Sequence, residues 1–280
     1  MFSFLFQQKN STFAAQRNCM VKQLIYILIF ILGVSSCQSE YQKMLKSNDY
    51  EQMYTKAMSY YETGEYYKAY SLFEKLIPVY RVTERGEKIS YYIAHCYYEE
   101  TDFLMAAYYF NRFIISFPTS ELKETAQYYM SLCYYYNSPK PSLDQTYTKK
   151  AIDAFQLYIN KYPQGTYVKE SNTYIAELRK KLEIKAYTTA KLYYTLEDYK
   201  AAVVALKNCI LEYPDTEYRE EILYMTFRAA FMLAEKSVEE KKQDRYESAI
   251  DEYKNYIDEF PQGSWIKESE RMFAAIQKNI

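Results

Sequence analysis

The amino-acid sequence predicts an all-α fold: an α-solenoid of five helical hairpins with a C-terminal capping helix. Two observations carry that expectation. The 280 residues include only five glycines and seven prolines, too few for the turns of an all-β fold, while 49% hydrophobic residues suffice for a core. In addition, one pattern recurs five times: an alanine, a large residue four places on, isoleucine at eight, an aromatic at eleven and proline at twelve.

The pattern runs through Ala69, Phe73, Ile77 and Tyr80, then Ala106, Phe110, Ile114, Phe117 and Pro118. It returns at Ala151, Phe155, Ile159, Tyr162 and Pro163, and at Ala202, Leu206, Ile210, Tyr213 and Pro214. Its last instance is Ala249, Tyr253, Ile257, Phe260 and Pro261. The one lapse is Arg81, which stands where the first proline would fall. Offsets of 4, 8 and 11 keep to one helix face, and the proline stops the helix.

A partner helix precedes each of these. Ala57, Ala94 and Ala190, each followed by a tyrosine pair (Tyr60 and Tyr61, Tyr97 and Tyr98, Tyr193 and Tyr194), stand 12 residues ahead of the matching alanine. Tandem antiparallel hairpins bury their apolar faces against neighbours and form a solenoid. The hairpins are expected at about 48–83, 84–120, 121–166, 167–217 and 218–263, with a closing helix at 264–280 that holds the only tryptophan, Trp265. Insertions around Asn137 to Pro141 and Glu239 to Asp244 are expected to lengthen hairpin turns.

A small-x-x-aromatic helix, followed by aromatic-x-x-Ala-x-x-x-Phe and a later proline, resembles the tetratricopeptide repeat over residues 45–265. Where that family often has a second alanine, seven places after the first, this chain has Leu76, Phe113, Tyr158, Cys209 and Tyr256. Bulkier residues there are expected to space the helices further apart.

Placing the first helices in register reveals tyrosine tracks. Tyr54, Tyr91, Tyr128 and Tyr187 lie three residues before the small residue, and Tyr61, Tyr98, Tyr135 and Tyr194 lie four after it. Seven residues is two helical turns, so both tracks share a face. By the tetratricopeptide resemblance, that face lines the concave groove, with His95 beside it. Such rings either fill core between repeats or form an aromatic groove for a peptide. A third set, Tyr60, Tyr97, Tyr134 and Tyr193, is expected to pack between helices. In the fifth repeat the track positions are read as Phe227 and Ala234, so the tracks are expected to end before the last hairpin.

The amino terminus reads as a targeting segment. Leu24 to Val34 is an apolar run of eleven residues, too short for a spanning helix, which needs roughly 20. Arg17 and Lys22 flank it, and Ser35, Ser36 and Cys37 follow, which resembles a bacterial lipobox. Residues 1–36 are therefore expected to be a lipoprotein signal peptide, with Met20 a second candidate start. Cys37 would carry the acyl chains (palmitate among them), and 37–47 would form an anchored linker. The alternative is an ordinary signal peptide with an incidental cysteine. The absence of aspartate after Cys37, in Gln38, Ser39 and Glu40, favours the outer membrane.

Catalytic chemistry finds no foothold. His95 is the only histidine, and no Gly-x-Ser-x-Gly, His-Glu-x-x-His or phosphate-binding glycine loop occurs. No catalytic residue, cofactor or metal is expected, and Cys96, Cys133 and Cys209 are expected to pack as small apolar residues. A net charge of -1 without a basic stripe argues against nucleic acid.

The lipobox, five hairpins and repeated endings Phe117-Pro118, Tyr162-Pro163, Tyr213-Pro214 and Phe260-Pro261 together resemble the BamD family. Its members are lipoprotein subunits of the outer-membrane β-barrel assembly machinery (BAM complex). The resemblance implies a non-enzymatic scaffold on the periplasmic face of the outer membrane, held by lipid. It further implies that the N-terminal repeats receive C-terminal signals of unfolded outer-membrane proteins and that the C-terminal repeats contact the barrel-forming subunit BamA. A different tetratricopeptide lipoprotein, serving cell-wall synthesis or division, is the alternative.

Overall fold

The computed structural model describes residues 39–81 and 83–280. The segment expected to be a signal peptide, and Cys37, lie outside them. The described residues form twelve α-helices and no strand. A leading helix, α1 (Ser39–Lys46), precedes five hairpins. These pair α2 (Tyr50–Glu62) with α3 (Tyr66–Tyr80), α4 (Glu84–Glu99) with α5 (Phe103–Ser116), and α6 (Lys123–Tyr136) with α7 (Thr146–Lys161). The last two pair α8 (Val168–Thr195) with α9 (Tyr199–Glu212) and α10 (Arg219–Glu235) with α11 (Glu239–Glu259), and α12 (Ile266–Asn279) closes the chain. The described residues divide into two compact units, one running to Lys123 and the other Glu124–Ile280, and within each the hairpins stack as an α-solenoid.

Local chemistry sets the ends of these helices. Asp49, Asp102 and Asp198 each accept a hydrogen bond from the backbone N–H three residues on, capping α2, α5 and α9. Phe117, Tyr162, Tyr213 and Phe260 each precede proline, and all four leave the helical region while their N–H still bonds the carbonyl four residues back. The first hairpin lacks that proline: Pro78 sits inside the last turn of α3, and Arg81 remains helical in conformation. Glycine is needed at position 86, in the first turn of α4, because a Cβ there would lie 1.9 Å from the Tyr80 carbonyl oxygen.

The alanines of the repeat are the points of closest packing: Ala69, Ala106, Ala151, Ala202 and Ala249 are all fully buried. So are the large residues at the next turn, Phe73, Phe110, Phe155 and Leu206. Cys96, Cys133 and Cys209 are buried free thiols. Burial pushes their ionisation upward, Cys96 to about 12 and Cys209 to about 11, so they pack as small apolar groups.

Two insertions take different forms. Residues 137–145 do form a long turn, pinned by the buried Gln145, whose side-chain amide donates to the Lys140 and Leu143 carbonyls. Lys181 and Lys185 of α8 reach back to Ser138 and Leu143. Residues 239–244, expected in a turn, are instead the first turns of α11, because their mixed charges and lack of breakers favour helix. The connecting turn is only Lys236 to Val238.

The structure also reveals a longer period. Pro163, Gln164 and Gly165 recur as Pro261, Gln262 and Gly263, and Lys169, Glu170 and Ser171 recur as Lys267, Glu268 and Ser269. Thr101 and Glu197 both take a left-handed conformation, φ 60 and 59, immediately before the capping Asp102 and Asp198. Hairpins two and three with the first half of α8 therefore correspond to hairpins four and five with α12. At 28 residues, α8 is a closing helix fused to the first helix of the next hairpin.

Candidate functional site

A glutamate seven residues before the small position organises each hairpin after the first: Glu87, Glu124, Glu183 and Glu220. Its carboxylate is bonded from the loop that follows the second helix, in two alternating ways. Ser120 donates to Glu87 and Thr216 to Glu183, each at 2.6 Å. In the other two hairpins a tyrosine from the second helix takes over. Tyr158 donates to Glu124 at 2.8 Å and accepts from the Tyr167 N–H at 3.0 Å, and Glu124 also accepts from the Thr166 N–H. Tyr256, Glu220, Ser264 and Trp265 repeat that set. Glycine fills the loop there because a Cβ at Gly165 or Gly263 would lie 2.6 or 2.5 Å from the tyrosine oxygen. The bulky residues expected as spacers are thus buried, and two of them are hydrogen-bonded clamps.

This contact fixes the register of the fifth hairpin and corrects the expectation above. Glu220 corresponds to Glu124, so Tyr224, not Phe227, continues the first track, and Phe231, not Ala234, continues the second. Tyr224 is buried and stacks on Trp265 (4.9 Å, 11°), as Tyr128 stacks on Tyr167 (4.1 Å, 6°) and Tyr187 on Tyr218 (4.0 Å, 5°).

The first track is largely interior. Tyr91, Tyr128 and Tyr187 are buried, and Tyr128 and Tyr187 donate to Glu170 and Glu221 at 2.7 and 2.6 Å. Burial raises the Glu221 carboxyl, but hydrogen bonds from Lys191 and Tyr187 outweigh it and hold the group below its ordinary range. Burial pushes the ionisation of both tyrosines upward, and their glutamate partners add to it. Tyr54 is half-buried, with the Arg85 guanidinium 4.7 Å above its ring.

The second track keeps more surface. Tyr61, Tyr98, Tyr135 and Tyr194 are all half-buried. In the first unit Tyr61 is hydrogen-bonded to Nδ1 of His95 at 3.1 Å and lies 4.8 Å from the Tyr92 ring. His95 stacks on Tyr91 (6.2 Å, 27°) and is tilted against Tyr98 (6.1 Å). Burial holds the imidazole below its usual pKa, with Glu99 3.5 Å from Nε2 opposing that shift, so the ring is neutral at pH 7. In the second unit Tyr135 donates to Glu177 at 2.6 Å, which with burial pushes its ionisation up to about 12. Tyr194 lies under Arg228 at 5.9 Å. The third set varies along the chain, from buried Tyr60 to Tyr193 at 40% exposure.

Each unit therefore holds preformed aromatic surface with rings braced on both sides. Such surfaces bind apolar and aromatic side chains with little ordering cost, while half-exposed hydroxyls add directional bonds. Among the described residues no group of three or more His, Cys, Asp or Glu is placed to hold a metal, and no helix is long and apolar enough to cross a membrane.

A family model described as "Outer membrane lipoprotein", YfiO, matches residues 46–244. The chain belongs to this family. The match covers four hairpins whole, all of α10 and the start of α11, and it agrees with the BamD-type resemblance of the sequence. Similar solved structures include a TPR repeats protein from Bacteroides fragilis, with 14% identity, 84% of this chain and 100% of that one covered, and a TM-score of 0.40. Another is the TPR2AB domain of yeast Sti1 in a pHSP90 complex, with 15% identity, 81% and 98% coverage, and a TM-score of 0.39. No curated protein matches the chain significantly.

Proposed function

We propose that the chain is a periplasmic scaffold of outer-membrane β-barrel assembly, anchored through acylated Cys37 and without catalytic activity of its own. The family match carries this reading, and the braced aromatic cluster of Tyr61, His95 and Tyr98 supports a peptide-receiving role for the first unit. C-terminal segments of unfolded barrel proteins, rich in aromatic side chains, are the clients. The later hairpins contact the barrel-forming, BamA-like subunit.

Of the eight track tyrosines, Tyr61 and Tyr98 are the ones we assign to client contact, with Tyr54 and His95 beside them. Tyr135 and Tyr194 are the matching candidates in the second unit. Tyr91, Tyr128 and Tyr187 are given a structural role, since their rings are buried.

The test is binding of a C-terminal barrel-protein peptide to the mature chain by fluorescence anisotropy. Alanine at both Tyr61 and Tyr98 is expected to weaken binding about tenfold or more, the scale of two aromatic contacts. Unchanged affinity in a folded double mutant sinks the assignment. Crosslinking in the host that captures a wall-synthesis enzyme in place of the barrel-forming subunit would move the protein to another pathway.

A further inference from the structure

The first unit carries a second surface, away from the Tyr61–His95 cluster. On α3, α4 and α5, Tyr70 stacks on Tyr97 (4.5 Å, 25°) and Tyr97 on Tyr109 (5.0 Å, 9°). Glu74 locks this column by accepting from Tyr109 at 2.9 Å and Tyr97 at 3.3 Å. Beside it opens a cavity of about 580 Å³, floored by Ile93, Phe113, Ile77 and Phe117 and edged by Arg81 and Arg112. Arg112 lies over the Tyr108 and Tyr109 rings, and neither arginine is in an ion pair among the described residues. Tyr67, Leu104 and Tyr108 extend the apolar rim, at 61%, 54% and 52% exposure.

The long period supplies an internal comparison. A cavity of about 440 Å³ in the second unit shares only the second-helix wall: Ala205, Asn208 and Glu212 stand where the first has Tyr109, Arg112 and Ser116, while its other wall is the turn into α7, with Asp144 and Lys149, in place of Ile77 and Arg81. Val204 replaces Tyr108. On that shared wall the tyrosine and the arginine are gone and a carboxylate is present, and the cations of this cavity are Lys149 and Lys185 instead. Helix packing alone gives no reason for an exposed guanidinium beside phenol rings on this wall in one unit and not in the other.

We infer that the Arg81–Arg112 cavity is a docking site for a protein segment that presents an apolar side chain flanked by carboxylates. The apolar side chain fills the pocket over Phe113 and Ile93. A carboxylate meets Arg112, whose planar fork is already oriented by the two tyrosine rings, and a second meets Arg81. Glu74 is held by the tyrosine hydroxyls at the column. The exposed rim of Tyr67, Leu104 and Tyr108 extends well past the cavity mouth, which suits a chain segment better than a small anion.

The experiment uses the mature full-length chain and a fluorescein-labelled octapeptide of alternating aspartate and leucine. Arg112→Glu and Arg81→Glu should each weaken binding about tenfold or more, the cost of one charge-assisted contact turned repulsive. Ser116→Glu, which imports the acid found at Glu212, should weaken it likewise. The lysine–leucine counterpart should bind the wild type weakly and gain affinity for Arg112→Glu. Alanine at Tyr61 and Tyr98 should leave the acidic peptide's affinity unchanged, which separates this site from the client cluster. All variants sit on exposed or half-exposed positions, and unchanged circular dichroism verifies folding. Equal affinity of wild type and both arginine variants overturns the proposal. So does binding of dodecyl phosphate without any binding of the acidic peptide, which would make the cavity a lipid-type anion site.

Discussion

Tyr158 and Glu124 meet at 2.8 Å at the point where one hairpin hands over to the next. The phenol oxygen also accepts from the Tyr167 N–H, so one side chain ties the second helix of a hairpin to its first and to the start of α8. Tyr256 and Glu220 repeat the arrangement toward α12. The neighbouring glycines leave no room for anything larger.

Alanine at Gly165 or Gly263 is therefore expected to destabilise the chain by about 1–3 kcal/mol, the usual cost of forcing volume into a packed site. Alanine at Gly64 offers a contrast, since its penalty comes from a φ of +77 with open space around it. Urea unfolding measures all three. A Gly165 variant as stable as wild type would mean the clamp relaxes freely.

Ser171 and Ser269 occupy matching positions in the two long copies, and the hydroxyl of each is buried without a hydrogen-bond partner. Replacing either by alanine removes an unsatisfied polar group and improves helix propensity, so stability should rise by about 0.5–1.5 kcal/mol. Thermal unfolding is the readout, and a loss of stability would indicate a hydroxyl in use.

Thr101 pays for its left-handed backbone with a β-branched side chain, at the turn where the first hairpin uses Gly64. Thr101→Gly should stabilise by about 0.5–1 kcal/mol, net of the greater freedom glycine gains when unfolded. The same substitution should leave peptide binding untouched.

His95 makes stability depend on pH near neutrality. Its folded pKa lies below the unfolded value of about 6.5, because burial disfavours the imidazolium more than Glu99 favours it. The neutral ring's contribution is thus complete above pH 6.5 and is lost as pH falls through the folded pKa. Between pH 7.5 and 5 the wild type should lose more stability than His95→Gln, compared in urea melts at each pH. Parallel profiles for the two proteins would rule out His95 as the titrating group.

Helix pairing was legible in the sequence because alanine, isoleucine and pre-proline aromatics act locally, through helix packing and helix ends. The register of the fifth hairpin was not, since Ala230 imitates the small residue that Phe227 replaces. Only the loop contact of Glu220 distinguishes the two, and that contact, with the Ser264 N–H, joins residues 44 apart in sequence. The same limit applied to the tyrosines. Period 3.6 put eight of them on one face, but burial depends on Tyr167, Tyr218 and Trp265, which arrive from the following loops.

Residues 168–195 also escaped notice as one helix, because nothing between Lys180 and Glu183 breaks it and a fused helix looks like two of ordinary length. That fusion has a mechanical consequence. At 1.5 Å per residue α8 is a rod of about 42 Å, gripped at one end by the third hairpin and at the other by the fourth and fifth. A hinge elsewhere could let neighbouring hairpins breathe separately. Here the backbone ladder runs through the junction unbroken, so fraying of one end strains the other. The second unit should open to solvent exchange as a single block, and a load taken up at the third hairpin is passed to the fifth.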